Sequence, residues 1–130
     1  MRHLISVAGG EFVAQGFSKA SISRIALDAG VSKKTIYARF PSKDELFVAV
    51  VEELAVRARE AVLDGLPTMM GAPEQVLTRF GTRIAQDWTS PYVAAIYRLI
   101  ICEVSRFPQL GEIFTATMEV MRSTLATYLR

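Results

Sequence analysis

The sequence predicts an all-α fold: a three-helix N-terminal head containing a helix-turn-helix, followed by a helical bundle. Three observations carry this. Apolar residues recur at helical spacing, as in Leu4, Ala8 and Phe12. Ser21, Gly30, Ser32 and Ser42 punctuate the first third of the chain where helix caps would stand. No run alternates apolar and polar residues between hairpin turns, and there is no internal repeat or low-complexity segment.

The first helix is expected over about residues 4–15, with Leu4, Ile5, Ala8, Phe12 and Val13 on one face. Gly9 and Gly10 each cost about 1 kcal/mol relative to alanine in a helix interior. They signal either close packing or an exposed, tolerant face. Gly16 stands where a C-cap takes left-handed backbone. Ser21 caps a second helix whose apolar side is Ile22, Ile25, Ala26 and Ala29, and Gly30 ends it. Ser32 caps a third, with Val31 and Ile36 spaced as a hydrophobic staple. Ser42-Lys43-Asp44-Glu45 is a capping box for a fourth helix running to about Leu63, and its two acids suit the positive end of the dipole. Gly65, Pro67, Gly71 and Pro73 then predict a loop. Helices are expected at about 74–88 and 92–106, parted by Ser90-Pro91. Pro108 and Gly111 predict another break before a final helix over about 112–130.

The 130-residue chain has globular composition and a net charge of +2, too small by itself to announce a polyanionic partner. Its distribution says more. Residues 1–47 hold seven Lys/Arg (Arg2, Lys19, Arg24, Lys33, Lys34, Arg39, Lys43) against four acids (Glu11, Asp28, Asp44, Glu45). No acid falls between Asp28 and Asp44, where Lys33, Lys34, Arg39 and Lys43 do. A helix that enters the groove of a nucleic acid needs such a gap.

Other chemistries find little support. His3 is the only histidine and Cys102 the only cysteine, so neither a metal cluster nor an intrachain disulfide is expected. Cys102, beside Ile100, Ile101 and Val104, is expected to be a small buried hydrophobe. No nucleophile–base or carboxylate-pair motif appears, so neither an enzyme nor a cofactor is expected. Apolar residues near the start are broken by Gly9, Gly10 and Glu11, and apolar runs such as Leu99–Cys102 are far too short to span a bilayer. A soluble cytoplasmic protein without membrane contact is the expectation.

Within a helix-turn-helix, packing fixes three positions. A small residue is needed where the helices cross, a positive φ at the turn, and a buried aliphatic in the second helix. Ala26, Gly30 and Ile36 meet these needs, although the same spacing also fits an ordinary helix pair. The wider string is more specific. Gly16-Phe17, Ile25-Ala26, Ala29-Gly30-Val31-Ser32-Lys33, Thr35-Ile36-Tyr37, Phe40 and Ser42-Lys43-Asp44-Glu45-Leu46-Phe47 resemble the DNA-binding head of the tetracycline-repressor (TetR) family over about residues 4–50. Arg98-Leu99-Ile100 through Glu103, Arg106-Phe107-Pro108-Gln109-Leu110 and Phe114 are similar to the AefR-like branch of its ligand-binding bodies.

The resemblance implies a homodimeric bacterial repressor, released from a palindromic operator in double-stranded DNA by a small-molecule effector. It implies a head over 1–47 and a ligand-binding and dimerisation body over 48–130. The helix at Lys33–Phe40 would lie in the major groove. Thr35 and Tyr37 match positions that contact backbone or bases, and Lys43 matches a phosphate contact. Ser21, Ser32, Lys33 and Lys34 complete the expected DNA-binding set. A lysine in a helix's first turn opposes the dipole, so Lys43 suits a site where phosphate supplies the missing charge. Three residues depart from the family pattern. Ala20 replaces a usual Thr, leaving capping and contact to Ser21. Arg24 stands where an acid is common, and Lys34 replaces a small residue. Family members also run through two further helices that form the dimer interface, which this chain is expected to lack after Arg130.

For the body, Val93–Val104 is apolar almost all round and is expected to be a central buried helix. Phe80, Ile84, Trp88, Tyr97, Ile100, Ile101, Phe114, Met118 and Met121 are candidates to line a cavity for a largely apolar effector, with simple core packing as the alternative for each. Glu103 could be the counter-ion of a cationic effector, or pair with Arg98, Arg106 or a neighbouring subunit. The competing function is a helical small-molecule-binding or interaction module without sequence-specific DNA binding. For a membrane-surface role the Lys33–Phe40 helix is too short.

Overall fold

A computed structural model describes residues 1–64 and 70–129. They form α1 (Arg2–Lys19), α2 (Ile22–Ala29), α3 (Lys33–Arg39), α4 (Lys43–Asp64), α5 (Pro73–Thr89), α6 (Pro91–Glu103) and α7 (Pro108–Leu129). Gly65 and Pro67 of the expected loop, and Arg130, lie outside the described residues. No helix among the described residues is long and apolar enough to cross a membrane.

The head follows its local signals closely. Gly16 adopts φ 74° and ψ 175°, a conformation essentially confined to glycine, and breaks α1 before its last turn. The regular part of the helix therefore ends at Gly16, and a further helical turn carries Phe17 into the core. Gly30 takes φ 70° and ψ 30° and closes α2 as a left-handed cap. At α4, Ser42 Oγ accepts from Glu45 N at 3.2 Å, the forward half of the capping box.

The core does not stop at the head. Phe47 in α4 packs on Phe12 and Phe17 of α1 at ring-centroid distances of 5.1 and 5.4 Å. Phe107, just before α7, reaches the same cluster at 5.3 Å from Phe17 and 6.0 Å from Phe47. Ile25, Ile36 and Leu46 join Ile96 and Leu110 in one continuous apolar core. The anticipated boundary at 47/48 thus falls inside α4, which runs unbroken across it.

Three expectations about the body change. Pro108 starts α7 rather than interrupting the chain, because proline lacks the N–H that a first turn leaves unpaired. Gly111 lies inside that helix. α6 is not buried all round. It packs on α1 and α5 through one side, burying Ile96 and Ile100, while Ile101 is 73 % exposed and Cys102 lies at the surface. The apolar sequence of α6 exceeds what its neighbours cover.

The two glycines of α1 have opposite roles. A Cβ on Gly9 would collide with the Tyr92 hydroxyl of α6 and lie 3.4 Å from Val50 of α4, whereas one on Gly10 would meet nothing within 4 Å. Gly10→Ala should therefore stabilise the chain by about 0.5–1 kcal/mol, through helix propensity alone. Gly9→Ala should cost about 1–3 kcal/mol as an overpacked contact. Paired thermal melts check the signs; a gain at both positions would mean that α1 and α6 are not held this close.

Candidate nucleic-acid interface and internal cavity

The turn between α2 and α3 is fixed by short-range bonds. Ser21 Oγ accepts from Arg24 N at 3.2 Å. Val31 N donates to Ala26 O at 3.0 Å and Gly30 N to Leu27 O at 3.2 Å. Ser32 Oγ accepts from Thr35 N at 3.0 Å and lies 2.9 Å from Thr35 Oγ1. Ala26 and Ile36 are buried beneath this turn. Burying Ile36 turns the rest of α3 outward, so Lys33, Lys34, Thr35, Tyr37 and Arg39 are all exposed. The face presents Lys33, Lys34 and Arg39 with the hydrogen-bonding groups of Thr35 and Tyr37, and the helix's first turn holds no acid.

Lys43 has a second employment that sequence reasoning missed. Its Nζ donates to the carbonyls of Ser18 at 3.0 Å and Ala20 at 3.4 Å, satisfying groups at the end of α1. It also lies 4.8 Å from the centre of the Phe17 ring. The Arg106 guanidinium sits over that ring at 4.8 Å and 3.9 Å from Asp44 Oδ1, so two cations brace Phe17. Glu11, also missed, is buried and accepts from Ser21 N at 3.2 Å, which anchors α2 to α1. Arg24 lies 3.9 Å from the same carboxylate. The sequence signal was an acid set between apolar positions of α1.

The body holds a cavity of about 680 Å³ between α4, α5, α6 and α7. Of the expected lining residues, Phe80, Ile84, Trp88, Tyr97 and Met121 face it. Trp88 and Tyr97 rings lie 5.5 Å apart, and Tyr97 meets Phe114 edge-on at 5.7 Å. Five candidates do not line it, Phe114 among them, which packs on Tyr97 from behind the wall. Ile100 belongs to the shared core, Ile101 is at the surface, and Met118 and Glu103 stand off the wall. Glu103 is displaced because the cavity opens beside the first half of α6. Six residues beyond Tyr97, it lies about 9 Å further along the axis. Its carbonyl accepts from Arg106 N and Phe107 N, ending the helix. A cationic effector thus loses its expected partner.

Arginines stand there instead. Arg57 of α4 and Arg79 and Arg83 of α5 line the cavity, with Asp87 the single acid among the described residues that do. Arg57 Nε is 3.2 Å from Glu53, Arg83 Nε is 3.7 Å from Asp87, and Arg79 donates to Met70 O at 3.2 Å. Burial pushes the Tyr97 phenol up, and pushes up that of Tyr92 against the opposing pull of Arg57. Both hydroxyls are therefore neutral donors near neutral pH. Sequence reasoning missed Arg79, Arg83 and Asp87, whose i,i+4 spacing also describes a solvated helix face. Among the described residues, no group of His, Cys, Asp and Glu is placed to hold a metal ion.

Residues 4–50 match the family model for bacterial regulatory proteins of the tetR family, and residues 75–130 that for the AefR-like transcriptional repressor C-terminal domain. An uncharacterized HTH-type transcriptional regulator of Mycobacterium tuberculosis is 28 % identical over 118 residues, covering 88 % of this chain and 52 % of the relative. An HTH-type transcriptional repressor of the same species is 32 % identical over 79 residues, covering 57 % of this chain and 42 % of its own length. The chain thus spans about half the length of the curated relatives it matches. A crystal structure from Mesorhizobium loti, of a protein assigned to the TetR family of transcriptional regulators, superposes with a TM-score of 0.91 at 28 % identity. That likeness covers 98 % of this chain and 65 % of the other.

Proposed function

This chain belongs to the tetR family of bacterial regulatory proteins, and we propose that it is a DNA-binding transcriptional repressor whose operator affinity is set by a small molecule in the α4–α7 cavity. Both matched family models describe regulatory proteins rather than an enzyme. The observation that carries the reading is the packed α2–α3 turn, with Ala26 and Ile36 buried beneath an exposed face of Lys33, Lys34, Thr35 and Tyr37. That is the layout of a recognition helix. In this reading Ser21, Ser32 and Lys43 are flanking phosphate contacts, Lys43 in addition to its bonds to the Ser18 and Ala20 carbonyls.

The protein acts in the cytoplasm as a homodimer, since a palindrome mirrors two-fold symmetry and its half-sites lie about 34–36 Å apart. Uncovered apolar side chains at the end of α6, chiefly Ile101, supply surface for such an association. The unbroken α4 links cavity to head, so an effector that favours one tilt of α4 alters the spacing of the two α3 helices. It must bind the two arrangements unequally to do so.

Selection of bound duplexes from a random pool, using the full chain, tests the reading. A palindromic motif is expected, with affinity falling by roughly 10³–10⁵ between 50 and 200 mM salt if about 6–10 phosphates are contacted. Enrichment of no motif, with a flat salt response, would leave a helical binding module without sequence-specific DNA contact.

A further inference from the structure

We propose that the cavity is built for an organic acid: a carboxylate among Arg57, Arg79 and Arg83, carried on an apolar body packed against Ile84, Trp88 and Tyr97. The inference rests on reading that cavity as the effector site and names the ligand's chemistry. Among the described residues, three arginines line it against one acid, Asp87. A cationic ligand would face this excess positive charge with only Asp87 to meet it, and Asp87 already lies 3.7 Å from Arg83. A neutral ligand would leave the guanidiniums as they are. An anion alone gains, because a guanidinium presents a planar fork that matches a carboxylate with two parallel hydrogen bonds.

The arginines are held differently. Arg57 is backed by Glu53 outside the cavity wall, and Arg83 by Asp87 on it. Arg79 donates to a backbone carbonyl, that of Met70, which takes no formal charge from it. Arg79 and Arg83 stand one turn apart on α5, Arg79 reaching back to Met70 and Arg83 forward to Asp87. The other part of the cavity is aromatic and aliphatic, with the Trp88 and Tyr97 rings 5.5 Å apart. A volume of about 680 Å³ is large enough for a fused bicyclic ring and a short acid side chain. Cations standing beside Phe80, Ile84 and Trp88 along α5 select an amphiphile over a wholly apolar molecule.

Calorimetric titration of the full chain, without DNA, decides this with three probes that share one ring: naphthalene-1-acetate, naphthalene-1-acetamide and 1-naphthylmethylammonium. The acetate is expected to bind at least about tenfold more tightly than the amide and to quench Trp88, with the ammonium weakest. Arg79→Gln with Arg83→Gln should bring acetate and amide to within about threefold of each other. Asp87→Asn, which releases Arg83, should tighten acetate binding, a gain that mere damage to the fold would not produce. Equal affinity for acetate and amide, preference for the ammonium, or no acetate binding would overturn the proposal. Any of these leaves the duplex selection untouched, whereas failure of that selection leaves the anion preference standing.

Discussion

Replacing Phe47 by alanine is expected to cost about 3–5 kcal/mol and to melt the head and the body in one transition. Phe47 is completely buried and touches rings from α1 on one side and Phe107 on the other. Truncation removes its own burial and leaves a cavity that three neighbouring phenylalanines cannot collapse to fill. Total stabilities are of the order of 5–15 kcal/mol, so the loss takes a large part of what is present. Trp88, the only tryptophan, lies in the body and reports on it alone. Urea titrations followed by far-UV circular dichroism and by Trp88 emission should shift to lower denaturant together. A helicity transition that moves while the Trp88 transition stays put would mean two separate cores.

The same residue marks what sequence could and could not reveal. Phe47 was legible as part of a string resembling a family's head, but its contact with Phe107 joins positions sixty residues apart that no local signal connects. Caps were legible because their chemistry is local. Ser21, Ser32 and Ser42 each bond an amide three residues on, and Gly30 adopts the positive φ that its neighbours could not. Burial depends on what arrives from elsewhere. Ile101 and Cys102 are apolar enough for a core, yet α1 and α5 reach only the opposite side of α6. Lys43 likewise reads as an outward charge until α1 brings the Ser18 and Ala20 carbonyls to it. The cavity was half legible. Its aromatic residues stood out at helical spacing, whereas its arginines looked like any solvated helix face. Pro108 shows a different failure, since one residue type ends some helices and begins others.

Changing Lys33 and Lys34 together to glutamate should separate folding from DNA binding by moving them in opposite directions. Both side chains are exposed, and the first turn of α3 contains no acid. Two cations at the positive end of a helix oppose its dipole, whereas carboxylates there are stabilising by about 0.3–1 kcal/mol each at low ionic strength. The melting temperature should therefore hold or rise. On DNA the sign reverses. A dimer would present four reversed charges to phosphates, and each lost contact flattens the log–log salt slope by about 0.9. The slope should fall by roughly 3–4 and operator affinity by at least about a hundredfold near physiological salt. If duplex affinity is kept with folding intact, α3 does not enter the groove. If affinity and melting temperature fall together, the two lysines support the head instead of reading DNA. Only a loss of binding in a fold at least as stable as before assigns their charge to the nucleic acid.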